Sequence, residues 1–301
     1  MSIALALLLA ANATLSPPPD TPLPPDEQSA IVVQGQRASE KQIRNFIREL
    51  TPARPRGQLG RFESPVCPAA VGLNPAQNEL VKDRLRRVAD AAGMEVAKAK
   101  CHPNVIVIVT RDKNALLKRM GSKRGDYLPI GQSGFDHHAI LDPEAPVAAW
   151  QIEETRGASG RKLHEVRNSA EVGMDGVQVQ RVFGSATRIT PMARQEFSGA
   201  VVVVQADAIV GLTTTQLADY AAMRAFVRTD PSKLTASAAN SILNVVTTPM
   251  GAPVPLTLTA WDMSFLKAYY ASRLNNFAAS QRSEMREKMS QDLGGAEEPA
   301  Q

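Results

Sequence analysis

Four histidines and two cysteines are the scarce reactive side chains of this 301-residue chain, and only one histidine pair is adjacent. His137 and His138 follow Asp136 in a stretch that also holds Gly131, Ser133 and Gly134. Adjacent histidines in a loop can share a metal ion, with Asp136 as a third ligand or as the carboxylate that orients one imidazole. The same stretch allows a hydrolase in which His138 is the general base for a Ser133 nucleophile, with Asp136 as the third member. Against the metal, neighbouring side chains in a loop point differently and no fourth ligand is evident. Against the nucleophile, Gly131-Gln132-Ser133-Gly134 has the form of a turn, and no helix signal follows as a nucleophile elbow requires. A solvated polar loop is the plainer account of these residues.

The cysteines, Cys67 and Cys101, form an even pair that an oxidising compartment would let close into a disulfide. Two buried free thiols are the alternative, and Cys101-His102 has no companion spacing for zinc. Glu153-Glu154 follows Trp150 on an expected strand, where alternation lets only one carboxylate face each side, so solvent exposure or ion pairing fits better than an acid/base couple. Arg84, Arg86 and Arg87, Lys118-Arg119, Lys123-Arg124 and Arg161-Lys162 could meet anionic headgroups or polymer, but helix-face charge explains them as well. With 34 basic against 30 acidic residues the net charge of +4 implies no polyanion partner. At 5% aromatic content, with none interleaved among the basic runs, nucleic acid is not an expected partner either. No cofactor site is read.

The elements that must position these residues show in their periodicity. Ser39-Glu40-Lys41-Gln42 fits a capping box, and Ile43, Phe46, Ile47 and Leu50 follow at helical spacing. Asn74-Pro75 opens a second helix with Leu80, Val81, Leu85 and Val88 on one face and Gly93 beyond its end. Val105 to Val109, five β-branched residues in a row, read as a buried strand, with a helix at about Lys113 to Met120 after it. Residues 121–146 are rich in Gly, Pro and Asp and read as a long excursion. Strands are expected at Val147–Thr155, Val177–Phe183 and Gly199–Val204, before a helical end. That order is an α+β pattern.

The first thirteen residues hold an apolar run and then Ala11-Asn12-Ala13, the small-x-small form of a signal-peptide cleavage site. Residues 14–38, rich in proline, read as a flexible tether, 39–278 as one domain, and 279–301 as a charged tail that frays. Export to the periplasm or beyond is the expectation, with no transmembrane span in the mature chain.

Near the end run Ser241-Ile242-Leu243-Asn244, then Leu258-Thr259-Ala260-Trp261-Asp262, then Leu266-Lys267-Ala268-Tyr269-Tyr270 and Arg273-Leu274. This block resembles the closing part of an uncharacterised zincin-like family of bacterial envelope proteins, which carries S-I-[FL]-N, L-T-x-[FW]-D and L-[RK]-x-x-Y-x-x-R-L in that order. The likeness covers about the last third of the ordered chain. It implies a zincin-like mixed sheet with packed helices, and a cleft beside a helix that begins near Thr213. Read without the family, Thr259 can cap a helix whose Met263, Leu266, Tyr270 and Leu274 face a core, with Asp262 in its first turn.

A catalytic zincin needs H-E-x-x-H on its helix: two histidines four residues apart as zinc ligands and a Glu to activate water. Here the frame reads Thr215-Gln216-Leu217-Ala218-Asp219, and all four histidines precede it. Thr is a poor zinc ligand and Gln216 cannot act as a general base. The resemblance therefore implies a pseudo-peptidase without metal. Its old cleft would bind an extended polypeptide or an envelope component, with Thr215, Gln216, Asp219 and Tyr220 near the floor. A relocated hydrolase at Ser133, Asp136 and His138, or a purely structural envelope protein, are the alternatives.

Overall fold

Helix α1 (Glu40–Leu50) begins at Ser39, whose Oγ accepts the Gln42 amide at 3.3 Å while Gln42 Oε1 accepts the Ser39 amide at 2.9 Å. The expected capping box is present. The structure, a computed structural model, describes residues 38–51, 57–122, 142–166, 179–181, 191–229, 233–234, 241–249 and 251–294. The proposed signal segment, nearly all of the tether and most of the 121–146 excursion lie outside the described residues.

The described chain forms one open, mixed four-stranded sheet, a two-stranded hairpin and six helices. Strand β1 (Pro68–Val71) leads through α2 (Pro75–Ala91) to β2 (Val105–Thr110) and α3 (Lys113–Ser122). After β3 (Val147–Gly157), the small pair β4 (His164–Val166) and β5 (Val179–Arg181) precedes β6 (Ala193–Gln205). Helices α4 (Thr214–Phe226), α5 (Ala260–Ala271) and α6 (Ala278–Gly294) complete the described chain. The sheet order is β1-β2-β6-β3, parallel except for β3, which is antiparallel to β6 at one edge.

Side-chain alternation divides the sheet's two faces. Val105, Val107, Val109, Ala200, Val202, Val204 and Val147 join the main core with α1, α2, α4 and α5. Ala148, Trp150, Val201 and Val203 face the other way, where Leu117 of α3 covers them. The β-branched run of β2 is therefore not buried on both sides: Ile106 and Ile108 are only partly covered, because the ten-residue α3 is short. Gly72, just past β1, has φ +96°, and any Cβ there would collide with the Val109 carbonyl oxygen, so only glycine lets the chain turn this close to β2. Cys67 and Cys101 form a disulfide with Cα atoms 6.0 Å apart, joining the start of β1 to the loop before β2.

The end of the chain departs from expectation. Residues 279–294 do not fray; they belong to α6, which buries Ala278, Gln281, Met285 and Met289 along one stripe, and residues 295–301 of the expected tail lie outside the described residues. That stripe is narrow and its flanks are charged, so its hydropathy is low although it packs on α5 and α1. Helix α5 is buried on more than the single face expected, because it lies between layers: Phe46 of α1 meets Trp261 at 5.3 Å and Phe265 at 5.7 Å between ring centroids. Leu274 falls beyond the helix and is half-buried. Among the described residues no helix is long and apolar enough to cross a membrane.

Candidate functional site

Helix α4 starts where β6 and a 3-10 turn (Ala206–Ile209) deliver it, and Thr213 caps it. The Gln216 amide donates to Thr213 Oγ1 at 3.1 Å, and Gln216 Oε1 accepts the Thr213 amide at 3.0 Å. The rest of the Gln216 side chain is also engaged, its Nε2 donating to the Pro255 carbonyl at 2.8 Å. One turn on, Asp219 is 0% exposed. Arg84 of α2 grips it side-on, Nε to Oδ1 at 2.7 Å and Nη2 to Oδ2 at 3.0 Å. Thr257 Oγ1 and the Leu258 amide also donate to Oδ2, at 2.7 and 2.8 Å, and Thr257 accepts from Arg84 at 2.8 Å.

These contacts engage Gln216 and Asp219, two of the four residues expected at the cleft floor. Of its four residues, Gln216, Asp219 and Tyr220 are buried and only Thr215 keeps intermediate exposure. Gln216 and Asp219 hold the chain's own 255–258 segment against α4. Charges buried this deeply persist only when paired and hydrogen-bonded, and Asp219 has both. Arg84 is equally misplaced by sequence reasoning: it is 7% exposed, not part of a solvated basic face.

A second carboxylate explains the block that carried the family likeness. Asp262 accepts hydrogen bonds from Ser241 Oγ at 2.6 Å, the Ile242 amide at 2.9 Å, the Thr259 amide at 3.0 Å and Thr259 Oγ1 at 2.9 Å. It thereby ties the Ser241-Ile242 turn to the cap of α5. Burial pushes the Asp262 carboxyl up, against the opposing effect of the donors from Ile242, Ser241 and Thr259. Tyr270 donates to the Phe226 carbonyl at 2.7 Å and so ties α5 to the end of α4. Ser241, Thr259, Asp262 and Tyr270 are engaged within the fold.

Ser133, Asp136, His137 and His138 lie outside the described residues, so their geometry with α4 is not defined. The point to which their segment returns is defined. Lys113, fully buried at the start of α3, donates from Nζ to the Asp142 carbonyl at 2.7 Å, and Asn114 reaches the Pro143 carbonyl at 3.3 Å. Desolvation lowers the Lys113 pKa, while Asp142 and Glu144 act to raise it. Glu153 and Glu154 face opposite sides and are ion-paired, with Arg228 at 2.8 Å and Arg156 at 2.6 Å respectively, as strand alternation requires. Among the described residues no group of three His, Cys, Asp or Glu side chains could hold a metal ion.

What sequence reasoning missed is the junction of β3 with the end of α4. Gln151 is buried in β3, and its Nε2 donates to the carbonyls of Arg224, Ala225 and Val227 at 2.7, 3.3 and 3.2 Å, capping the helix from the strand. Its signal was available: it is the one polar residue among Val147, Ala149 and Gln151, which alternate onto the core face. Beside it, Arg224 Nη1 donates to the Tyr220 hydroxyl at 3.2 Å, and the guanidinium lies 5.9 Å from the Tyr220 ring centroid. Val147, Ala149 and Gln151 are also the residues whose backbone groups point away from β6, because the Gln205 amide bonds Pro146 and the ladder alternates from there. Comparison with protein-family models, with curated proteins and with solved structures finds no match in any of the three.

Proposed function

We propose that the protein is an exported, non-catalytic binding protein on a degenerate zincin-like scaffold, and that it holds an extended polypeptide or cell-envelope component beside β3. The observation that carries this reading is the edge strand itself. β3 is eleven residues long, antiparallel, and tied by Gln151 to the end of α4, so it offers a rigid line of outward backbone groups. Among the described residues that outer edge is engaged at its far end, where Lys162 bridges Arg156 and the Gly157 amide donates to the Arg161 carbonyl at 2.9 Å. Strand addition at such an edge draws affinity from main-chain hydrogen bonds, with pockets for alternate side chains setting specificity. The disulfide fits an oxidising compartment. The non-catalytic part rests on the donor set of α4, where Gln216 and Asp219 are already bonded to Pro255, Arg84, Thr257 and Leu258.

Two measurements test it. An unstructured ten-residue peptide added to isotope-labelled protein should perturb the amides of Val147, Ala149 and Gln151 ahead of all others. Elemental analysis of protein purified from its native compartment without a histidine tag should give far less than one zinc per chain. Stoichiometric zinc overturns the non-catalytic reading, and perturbation confined to other surfaces overturns the β3 reading.

A further inference from the structure

Arginine partners differ sharply across this molecule. Arg61, Arg84, Arg156, Arg194 and Arg228, all largely buried, each meet a carboxylate, at 2.7, 2.7, 2.6, 2.5 and 2.8 Å. Arg224, partly buried in the last turn of α4, has none among the described residues. Among the described residues its one hydrogen-bond acceptor is the Tyr220 hydroxyl, reached by Nη1, and its Nε is shielded from solvent without an acceptor. The helix end that ordinarily offsets such a charge is already engaged, since Gln151 Nε2 donates to the carbonyls of Arg224, Ala225 and Val227. A shielded N–H without an acceptor is costly; Arg156 Nε is shielded in the same way, but that guanidinium has Glu154 as its counter-charge.

The free edge of this guanidinium has a definite shape. With Nη1 held by Tyr220, what remains is the Nε–Nη2 side, two parallel N–H groups that match the two oxygens of a carboxylate. The protein uses that same side-on pairing once already, between Arg84 and Asp219. Phosphate could accept the same pair of donors, but strand addition along β3 needs a peptide backbone, so the extended polypeptide is the ligand taken here, and its anions are carboxylates. We propose that Arg224, oriented by Tyr220, binds a carboxylate of the polypeptide lying along β3; this deepens the reading above and rests on it. The carboxylate is the C-terminus of the bound chain or an acidic side chain within it. The Gln151 link fixes the Arg224 backbone to the strand.

The experiment follows the Nε–Hε resonance of Arg224, assigned by its loss in Arg224→Lys, together with the β3 amides. Three probes are added to labelled protein: N-acetyl-tetraalanine as the free acid, the same peptide as its C-terminal amide, and an amide in which one alanine is replaced by glutamate. The expected result is a saturable shift of Arg224 with a carboxylate-bearing probe and none with the all-alanine amide. A response to the free acid assigns the chain terminus, and one to the glutamate amide assigns the side chain. Arg224→Gln should weaken the effective probe at least tenfold while leaving the rest of the amide spectrum in place. Tyr220→Phe, which frees Nη1 and keeps the ring, should retain binding. Equal responses to acid and amide, or unchanged affinity in Arg224→Gln, overturn the carboxylate site. Amide shifts on β3 with Arg224 silent do so while sparing the strand reading, and no response at either place overturns both.

Discussion

Replacing Asp219 by alanine removes a carboxylate that accepts four hydrogen bonds, from Arg84 twice, Thr257 and Leu258. It also leaves the Arg84 guanidinium almost fully buried without a counter-charge. Breaking a buried ion pair from one side costs about 3–5 kcal/mol, a large part of the ~5–15 kcal/mol by which most domains are stable. With a urea slope of about 3 kcal/mol per molar, the midpoint should fall by about 1–1.7 M. The double variant Arg84→Met/Asp219→Leu removes both charges and fills the space, and such swaps are close to neutral. It should therefore recover most of the loss, so the two substitutions are strongly non-additive. Equilibrium urea unfolding followed by the fluorescence of Trp150 and Trp261 reads all three proteins. A single variant within about 1 kcal/mol of the parent, or a double variant no better than the single, refutes the reasoning. It would also restore Asp219 as a candidate contact for a ligand.

The Asp262 carboxyl titrates higher in the folded chain than in the unfolded one, chiefly through desolvation. Its contribution to stability is full below the unfolded value of about 4 and declines as pH rises through the raised folded value. Asp262→Asn, which can still accept from Ile242 and Thr259 and can donate to Ser241, should lack that decline. Its stability relative to the parent should thus increase from about pH 4 upward, and parallel curves in urea unfolding at several pH values would refute this. The Cys67–Cys101 bridge spans a sequence separation of 34, so Cys67→Ala/Cys101→Ala should cost about 3.8 kcal/mol on the loop-entropy model. Thiol counts of zero for the parent in the absence of reductant check the bond itself, and a loss under about 1 kcal/mol would show that Asn104, which bonds both Cys67 and Pro65, suffices to hold that corner.

The parts of the fold legible in sequence are those written within about four residues. The caps at Ser39, Asn74 and Thr259 are local hydrogen bonds, so residue type and spacing reveal them. Three of the four strands of the main sheet, β2, β3 and β6, were visible for a similar reason, as β-branched or alternating runs, whereas the four-residue β1 was not. What could not be read was decided by partners far along the chain. Arg84 and Asp219 are 135 residues apart, and an arginine within Arg84-Leu85-Arg86-Arg87 reads as solvated until its partner is known. Asp219 itself read as a remnant of a metal site, because its burial depends on the 255–258 segment folding back over α4. The stripe of α6 was hidden by the charges around it, and Arg224 by its ordinary place at the end of a helix.

The pairing of α1 with α5 and α6 has a consequence for how the chain matures. Ile43, Phe46, Ile47 and Leu50 are among the first core residues to leave the ribosome, yet their cover, Trp261, Phe265 and the face of α6, is among the last. Until then an amphipathic helix carries an uncovered greasy face for the time taken to make more than two hundred residues, about 10–40 s at ordinary elongation rates. The core is closed by bringing the two ends of the domain together. Nascent chains stalled shortly before α5 should accordingly be captured by holdase chaperones and cut readily by protease, and release of the last two helices should end both.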